Sequence, residues 1–152
     1  MVTAARDGAT VEAGLADLVV LKTDKSAFVA FKKDQFTTLP ESRDRLFATS
    51  LTASWTYARE NAAFNDAWTT VRDTLVTAFA AHESLSVQQT LYAMGQAALA
   101  RVPVVTSIRL VMPNKHHLPI DLSRMGLENR NEIFVPTDEP HGYIEARVRR
   151  KS

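Results

Sequence analysis

Period-two patterns of apolar and polar residues near both ends of the chain predict β-strands. In the N-terminal part, apolar runs at 18–21 and 28–31 flank a polar stretch that suits a bend or a bulge, so residues 11–32 are predicted to be largely extended. Near the C-terminus, side chains alternate at 108–112 and at 144–149. Such alternation is typical of strands that have one buried and one solvated face.

The next segment carries a helix-start signal. Thr38 is followed three residues later by Glu41, with Pro40 in the first turn, and this capping pattern predicts a short helix that contains Arg45. Residues 55–57 alternate again and predict a strand-like connector.

Two longer amphipathic helices are predicted in the middle of the chain. A polar stretch at 84–86 separates them, and Pro103 ends the second. Apolar residues recur at helical spacing on one face of each, namely Trp68, Val71, Leu75, Val76 and Phe79 in the first, and Leu91, Met94, Ala98 and Leu99 in the second.

Strands, then helices, then strands predict an α+β fold, an antiparallel sheet with helices on one face. With 152 residues, the chain is predicted to form a single domain, 1–152. A small open sheet leaves two unpaired edge strands, and pairing with further copies is one way to cover them. We therefore expect an oligomer.

Composition excludes several classes of function. Lys and Arg number 18 against 17 Asp and Glu, and this net charge of +1 disfavours a nucleic-acid partner. The absence of cysteine rules out disulfides, thiol catalysis and thiolate metal sites, and it fits a reducing compartment. The sequence has no membrane-length apolar run, no secretory leader and no Ser-Lys-Leu ending, so we expect a bacterial cytoplasmic protein without a membrane partner.

The segment Pro-Asn-Lys-His-His at 113–117 is the strongest candidate for chemistry. Asn114 and His116 lie two residues apart on a predicted extended segment, so their side chains project to one face and can reach one small ligand. A metal site is not predicted, because His116 and His117 are adjacent and point oppositely on a strand, while His82 and His141 are far away in sequence.

Four segments resemble the uricase (urate oxidase) family. The first is Leu-Lys-Thr-Asp-Lys-Ser-Ala-Phe at 21–28, which departs from the family at Asp24, where a small hydroxyl residue is usual. The second is Ser-Val-Gln at 86–88, the third is Pro-Asn-Lys-His at 113–116, and the fourth is a stretch similar to the family's last strand pair at 131–138. The first segment continues with the family's spacing at Phe31, Phe36, Leu39 and Arg45.

The resemblance implies a role for each candidate residue. Phe28 would stack on urate, and Arg45 would make a forked hydrogen bond to this anion, a task that suits a planar guanidinium. Val87 would contribute its backbone and Gln88 its side-chain amide. Asn114 would also hold dioxygen or water above the purine ring, and His116 would belong to a proton relay. The catalytic residues implied are therefore Asn114 and His116, and the substrate-binding residues implied are Phe28, Arg45, Val87, Gln88 and Asn114.

The fold implied is the tunnelling fold (T-fold), in which four-stranded units join edge to edge into a barrel with helices outside. The activity implied is the oxidation of urate by dioxygen and water to 5-hydroxyisourate and hydrogen peroxide, without metal or organic cofactor. Only the C-terminal half of a usual uricase is matched. The missing half supplies a catalytic lysine and a threonine in the family, and Lys22 and Thr23 belong to the C-terminal signature and do not replace them. We therefore expect a partner that carries an N-terminal uricase half.

Two alternatives remain open at the level of sequence. One is a non-catalytic purine-binding or assembly module that lacks the catalytic half. The other is a T-fold enzyme acting on a pterin-like ring, since the fold alone does not determine function.

Overall fold

A computed structural model describes residues 1–6 and 8–150. Its main element is a five-stranded sheet in which every neighbouring pair is antiparallel. The order is β1-β2-β3-β4-β7, with β1 at Val2–Ala5, β2 at Gly8–Lys22, β3 at Phe47–Tyr57, β4 at Val105–Asn114 and β7 at Gly142–Arg149. A separate two-stranded sheet pairs β5 (His117–Pro119) with β6 (Phe134–Pro136).

Strand β3 lies in the middle of the main sheet and presents one apolar face to the helices. Its residues 47, 51, 53, 55 and 57 are buried, whereas the alternate positions 50, 52, 54 and 56 are only partly buried. The core joins this face to β4 and to both helices through Trp55, Ile108, Leu110, Val71, Leu75, Leu91 and Met94. The predicted α+β architecture is confirmed.

The two long helices are confirmed, as α1 (Phe64–Ala81) and α2 (Val87–Arg101). Val76 was predicted on the apolar face of α1 but is 40% exposed. Gly95 of α2 packs against β7 so closely that an added Cβ would lie 2.6 Å from Val148 Cγ2. Among the described residues, neither helix has the combination of length and apolar character needed to cross a membrane.

The prediction of a short helix after Thr38 is wrong. Residues 38–41 have no regular structure, and Phe47, two residues after Arg45, is already the first residue of β3 and pairs with Lys22. Glu41, the acidic member of the capping pattern, instead lies 3.1 Å from Lys33 Nζ and accepts a 3.3 Å hydrogen bond from the Ala30 amide. The Glu41 carboxylate therefore binds groups of its own loop and does not cap a helix.

The extended segment also ends earlier than predicted, at Lys22 instead of residue 32. Phe28 forms an isolated bridge with Ser42, and Ala30 has a φ of 56°, which a strand does not accommodate. Residues 55–57, predicted as a connector, are the end of β3. The sheet has five strands where four were predicted, because Val2–Ala5 pairs with the start of β2.

Candidate functional site

The four sequence segments meet at one end of the main sheet. Strand β2 ends there at Lys22, which pairs with Phe47 at the start of β3. Strand β4 ends at the same place, where Lys115 donates a 3.0 Å hydrogen bond to the carbonyl of Ala48. The antiparallel order of the sheet therefore places the loop at 23–46 beside the end of β4.

Backbone hydrogen bonds attach this loop to the turn between the two helices. The amide of Ala27 donates to the carbonyl of Ser84 at 2.8 Å, and the amide of Ser84 donates to the carbonyl of Lys25 at 2.9 Å. The amide of Val29 donates to the carbonyl of Leu85 at 3.2 Å. Phe28 is therefore held close to the start of α2, although the two are far apart in sequence.

Arg45 is the centre of the site. Its Nε donates to the carbonyl of Ala27 at 3.0 Å, and its NH1 donates to Asn114 Oδ1 at 3.3 Å. Its NH2 is buried and has no hydrogen-bond partner among the described residues. The central guanidinium carbon lies 5.1 Å from the ring centroid of Phe47 and 6.0 Å from that of Phe28. Burial lowers the pKa of Arg45, but a guanidinium stays charged at neutral pH.

A half-buried cation with a buried, unpartnered donor suits an oxygen-bearing anion. No carboxylate lies within ion-pair distance of Arg45 in the described part of the chain. A buried donor without an acceptor costs free energy, on the order of 1–3 kcal/mol, and a bound anion would remove that cost. The local structure thus favours a planar anion that accepts a forked hydrogen bond.

Phe28 supplies an aromatic ring beside this cation. The ring is half-buried and is stacked on Phe31, with centroids 4.4 Å apart and planes 15° apart. One face of Phe28 is thus covered, and a ligand ring would use the face turned away from Phe31.

The start of α2 forms another wall. Ser86 caps the helix, because its side chain accepts a hydrogen bond of 3.2 Å from the Gln89 amide. Val87 is buried, so only its backbone is available, whereas the side chain of Gln88 is exposed. The first amides of a helix have no intrahelical acceptor and can bind a ligand oxygen. Gln89, which the sequence did not single out, stabilises the turn by accepting from the Leu85 amide at 2.8 Å.

Asn114 and His116 follow on the chain, but they are not on one strand. Asn114 is the last residue of β4, and His116 lies between β4 and β5. Asn114 reaches the site through its hydrogen bond to Arg45. Burial lowers the pKa of His116, and the charge of Arg45 and then His141 add to the effect, so the imidazole is neutral near pH 7. A neutral imidazole can accept a proton.

Sequence reasoning did not place the long loop beyond β5 beside Arg45. A cleft of about 390 Å³ opens beside Arg45 and is lined from that loop by Arg130, Asn131, Glu132 and Phe134. Asn131 also donates to Asp44 Oδ2 at 3.1 Å. No local signal connects these residues with Arg45, because they are far away in sequence. Over residues 1–6 and 8–150, no cluster of His, Asp or Glu side chains suits a metal ion.

Comparison with known proteins gives one answer. A family model described as Uricase matches residues 11–145. The chain is 43% identical over 146 residues to a uricase of Danio rerio, which covers 93% of this chain and 49% of the relative. It is 41% identical over 141 residues to a uricase of Arthrobacter globiformis, which covers 93% and 47%.

A solved structure agrees with these sequence matches. The crystal structure of the Arthrobacter globiformis uricase matches with a TM-score of 0.92 and 40% identity, covering 95% of this chain and 50% of that one. This match confirms the predicted T-fold unit; assembly into a barrel stays a prediction. The chain spans about half the length of the curated relatives that it matches. From the matched residues and the shared fold, this chain belongs to the uricase family.

Proposed function

We propose that this chain is the urate-binding unit of a cofactor-independent urate oxidase. The observation that carries the proposal is Arg45, a half-buried guanidinium with one buried and unpartnered nitrogen, hydrogen-bonded to Asn114 and lying beside the Phe28 ring. Family membership supplies the reaction: urate, dioxygen and water give 5-hydroxyisourate and hydrogen peroxide.

In this proposal, binding depends on shape and charge. Urate is a planar monoanion near neutral pH, so it suits a stacking ring and a forked guanidinium donor. Phe28 stacks on the ring, and Arg45 NH2 donates to the ring edge. Gln88 presents both a donor and an acceptor, which match the alternating N–H and C=O groups of urate. The backbone of Val87 adds a donor at the start of α2.

Asn114 and His116 would serve the oxidation step. Asn114 Oδ1 accepts from Arg45, so its NH2 group is directed away from the guanidinium and is available to dioxygen or water. His116, with its lowered pKa, would take up a proton as urate loses electrons to dioxygen. Positioning of the reactants and removal of a proton from the electron-rich substrate would together accelerate the reaction.

The rest of the site would come from an N-terminal uricase half. The relatives are about twice as long as this chain, and the family's lysine and threonine come from the half that is not matched. We propose that residues 1–152 form one T-fold domain that works with an N-terminal uricase half. Copies would join through the sheet edges β1 and β7.

The test is loss of the near-ultraviolet absorbance of urate, with the purified chain alone and then mixed with an N-terminal uricase half. We expect turnover and hydrogen peroxide only in the mixture. Turnover by the chain alone would mean that it contains its own proton relay. The proposal fails if neither sample consumes urate and an oxygen-free titration shows no urate binding.

A second candidate is a purine-binding module without activity. One observation favours it: the buried lysine nearest to the site, Lys22, donates to the carbonyl of His82 at 2.6 Å and is not free to act as a proton relay. Urate binding without peroxide release, even in the mixture, would support this candidate.

A further inference from the structure

Lys22, the last residue of β2, is buried and takes no part in the substrate contacts proposed above. It is 6% exposed, and its Nζ lies 5.9 Å from the ring centroid of Phe47 and 5.5 Å from that of Phe79. No carboxylate forms an ion pair with it in the described part of the chain. A buried ammonium is costly unless its partners compensate for the lost water, so an apolar residue of equal length would pack here at lower cost.

The hydrogen bond of Lys22 ends at the turn between the helices. Nζ donates to the carbonyl of His82 at 2.6 Å, and His82 is the C-cap of α1, where its amide donates to Ala78. The His82 ring reaches α2, with Nδ1 3.2 Å from Thr90 Oγ1. A single ammonium thus connects the end of β2 to the turn that begins α2.

The same lysine shares one aromatic neighbour, Phe47, with Arg45. Lys22 Nζ and the guanidinium carbon of Arg45 lie 5.9 Å and 5.1 Å from the centroid of Phe47. Phe47 is fully buried, so it cannot turn aside without disturbing the core. Both cations approach one rigid ring, and the position of each constrains the other.

We infer that Lys22 is a positioning residue, which holds the turn at 82–86 and the guanidinium of Arg45 so that both face the same ligand. It does not touch urate. The backbone ladder between 25–29 and 84–85 transmits the same constraint to Phe28. This inference rests on the proposed function, since urate is the ligand that the two elements would share.

The test compares Lys22→Met with Lys22→Arg and Lys25→Met in the full chain. Methionine keeps the length and removes the charge and the donor, whereas arginine keeps both. Lys25 is exposed and contributes a nearby charge, so Lys25→Met controls for charge alone. An oxygen-free titration measures urate affinity under the conditions in which the wild type binds, and thermal unfolding is followed in parallel.

We expect Lys22→Met to weaken urate binding about tenfold without lowering the unfolding temperature. Lys22→Arg should keep most of the wild-type affinity. Lys25→Met should bind urate within about twofold of the wild type. Unchanged affinity in Lys22→Met would overturn the inference. A parallel fall in affinity and unfolding temperature would also overturn it, because that pattern indicates a purely structural role.

A second measurement separates this inference from the proposed function. Amide hydrogen exchange needs no ligand, and Lys22→Met should accelerate exchange at Ala27, Ser84 and Thr90 but not at Val148 on the remote strand β7. If the wild type does not bind urate, the proposed function fails, whereas faster exchange at these amides still supports positioning by Lys22. If Lys22→Met exchanges the amides of Ala27, Ser84 and Thr90 at the wild-type rate, the inference is overturned.

Discussion

The environment of Arg45 is built from residues that are far apart in sequence. Its guanidinium donates to Ala27 and to Asn114, which lie on either side of it in the chain, and its third nitrogen has no acceptor in the described residues. The resemblance to the uricase family implied that Arg45 binds a ligand. It gave no information on the acceptors of Arg45, because those depend on the pairing of β2, β3 and β4.

Replacing Arg45 should affect binding more than folding. We expect Arg45→Lys to weaken urate binding roughly 10- to 100-fold, since hydrogen bonds to a charged group contribute about 1.5–3 kcal/mol and an ammonium cannot reproduce the fork. The measurement is an oxygen-free urate titration, with Arg43→Lys as the matched control because Arg43 is exposed in the same loop. Equal affinity of Arg45→Lys and wild type would contradict this assignment.

At the scale of elements, two capping signals had different outcomes. Ser86 caps α2, whereas Thr38 and Glu41 start no helix. A cap contributes only about 1 kcal/mol, so it decides a helix only where the following residues also bury an apolar face. After Ser86 that face exists, with Leu91 and Met94 in the core. After Thr38 the apolar Phe47 is buried as part of β3 instead.

The packing of α2 against β7 can be tested at Gly95. Gly95→Ala would place a methyl group 2.6 Å from Val148 Cγ2, and we expect it to lower the free energy of unfolding by about 1–3 kcal/mol, as overpacking does. Chemical denaturation measures this change. The double variant Gly95→Ala/Val148→Ala should lose less unfolding free energy than the two single variants lose in sum, because the smaller residue at 148 leaves room for the methyl group. Additive costs would show that the two positions do not touch.

At the scale of the whole molecule, the site exists because one end of the sheet collects the loop at 23–46, the end of β4 and the start of α2. Two histidines, His82 and His116, are partly buried in this region, and both have lowered pKa values. Burial is the main cause for each, followed by the charge of Lys22 at His82 and that of Arg45 at His116.

These shifts predict how stability depends on pH. Below the ordinary histidine pKa of about 6.5, the unfolded chain binds protons that the folded chain does not, so the free energy of unfolding should fall as pH falls. Denaturation at pH 7 and at about pH 5.5 measures the effect before the carboxylates titrate. His82→Gln and His116→Gln should each flatten the dependence. A wild-type stability that is constant across this interval would contradict the prediction.

The sequence by itself determined the fold class, both long helices and the strands β2, β4 and β7, and its resemblance to a family named the candidate site residues. These features follow from local periodicity and from motif spacing, which a linear pattern contains. The cytoplasmic setting stays a prediction. So do the roles of all the candidate site residues, namely Phe28, Arg45, Val87, Gln88, Asn114 and His116.

Only the tertiary structure decided which groups meet at the site. Three of its features depend on strand pairing and burial: the hydrogen bond from Arg45 to Asn114, the stacking of Phe28 on Phe31 and the buried ammonium of Lys22. Long-range pairing also overrode the local signals for a helix after Thr38 and a strand at 28–31. The physical reason is that local preferences contribute about 1 kcal/mol each, whereas burying the side chains of a whole strand contributes several times more.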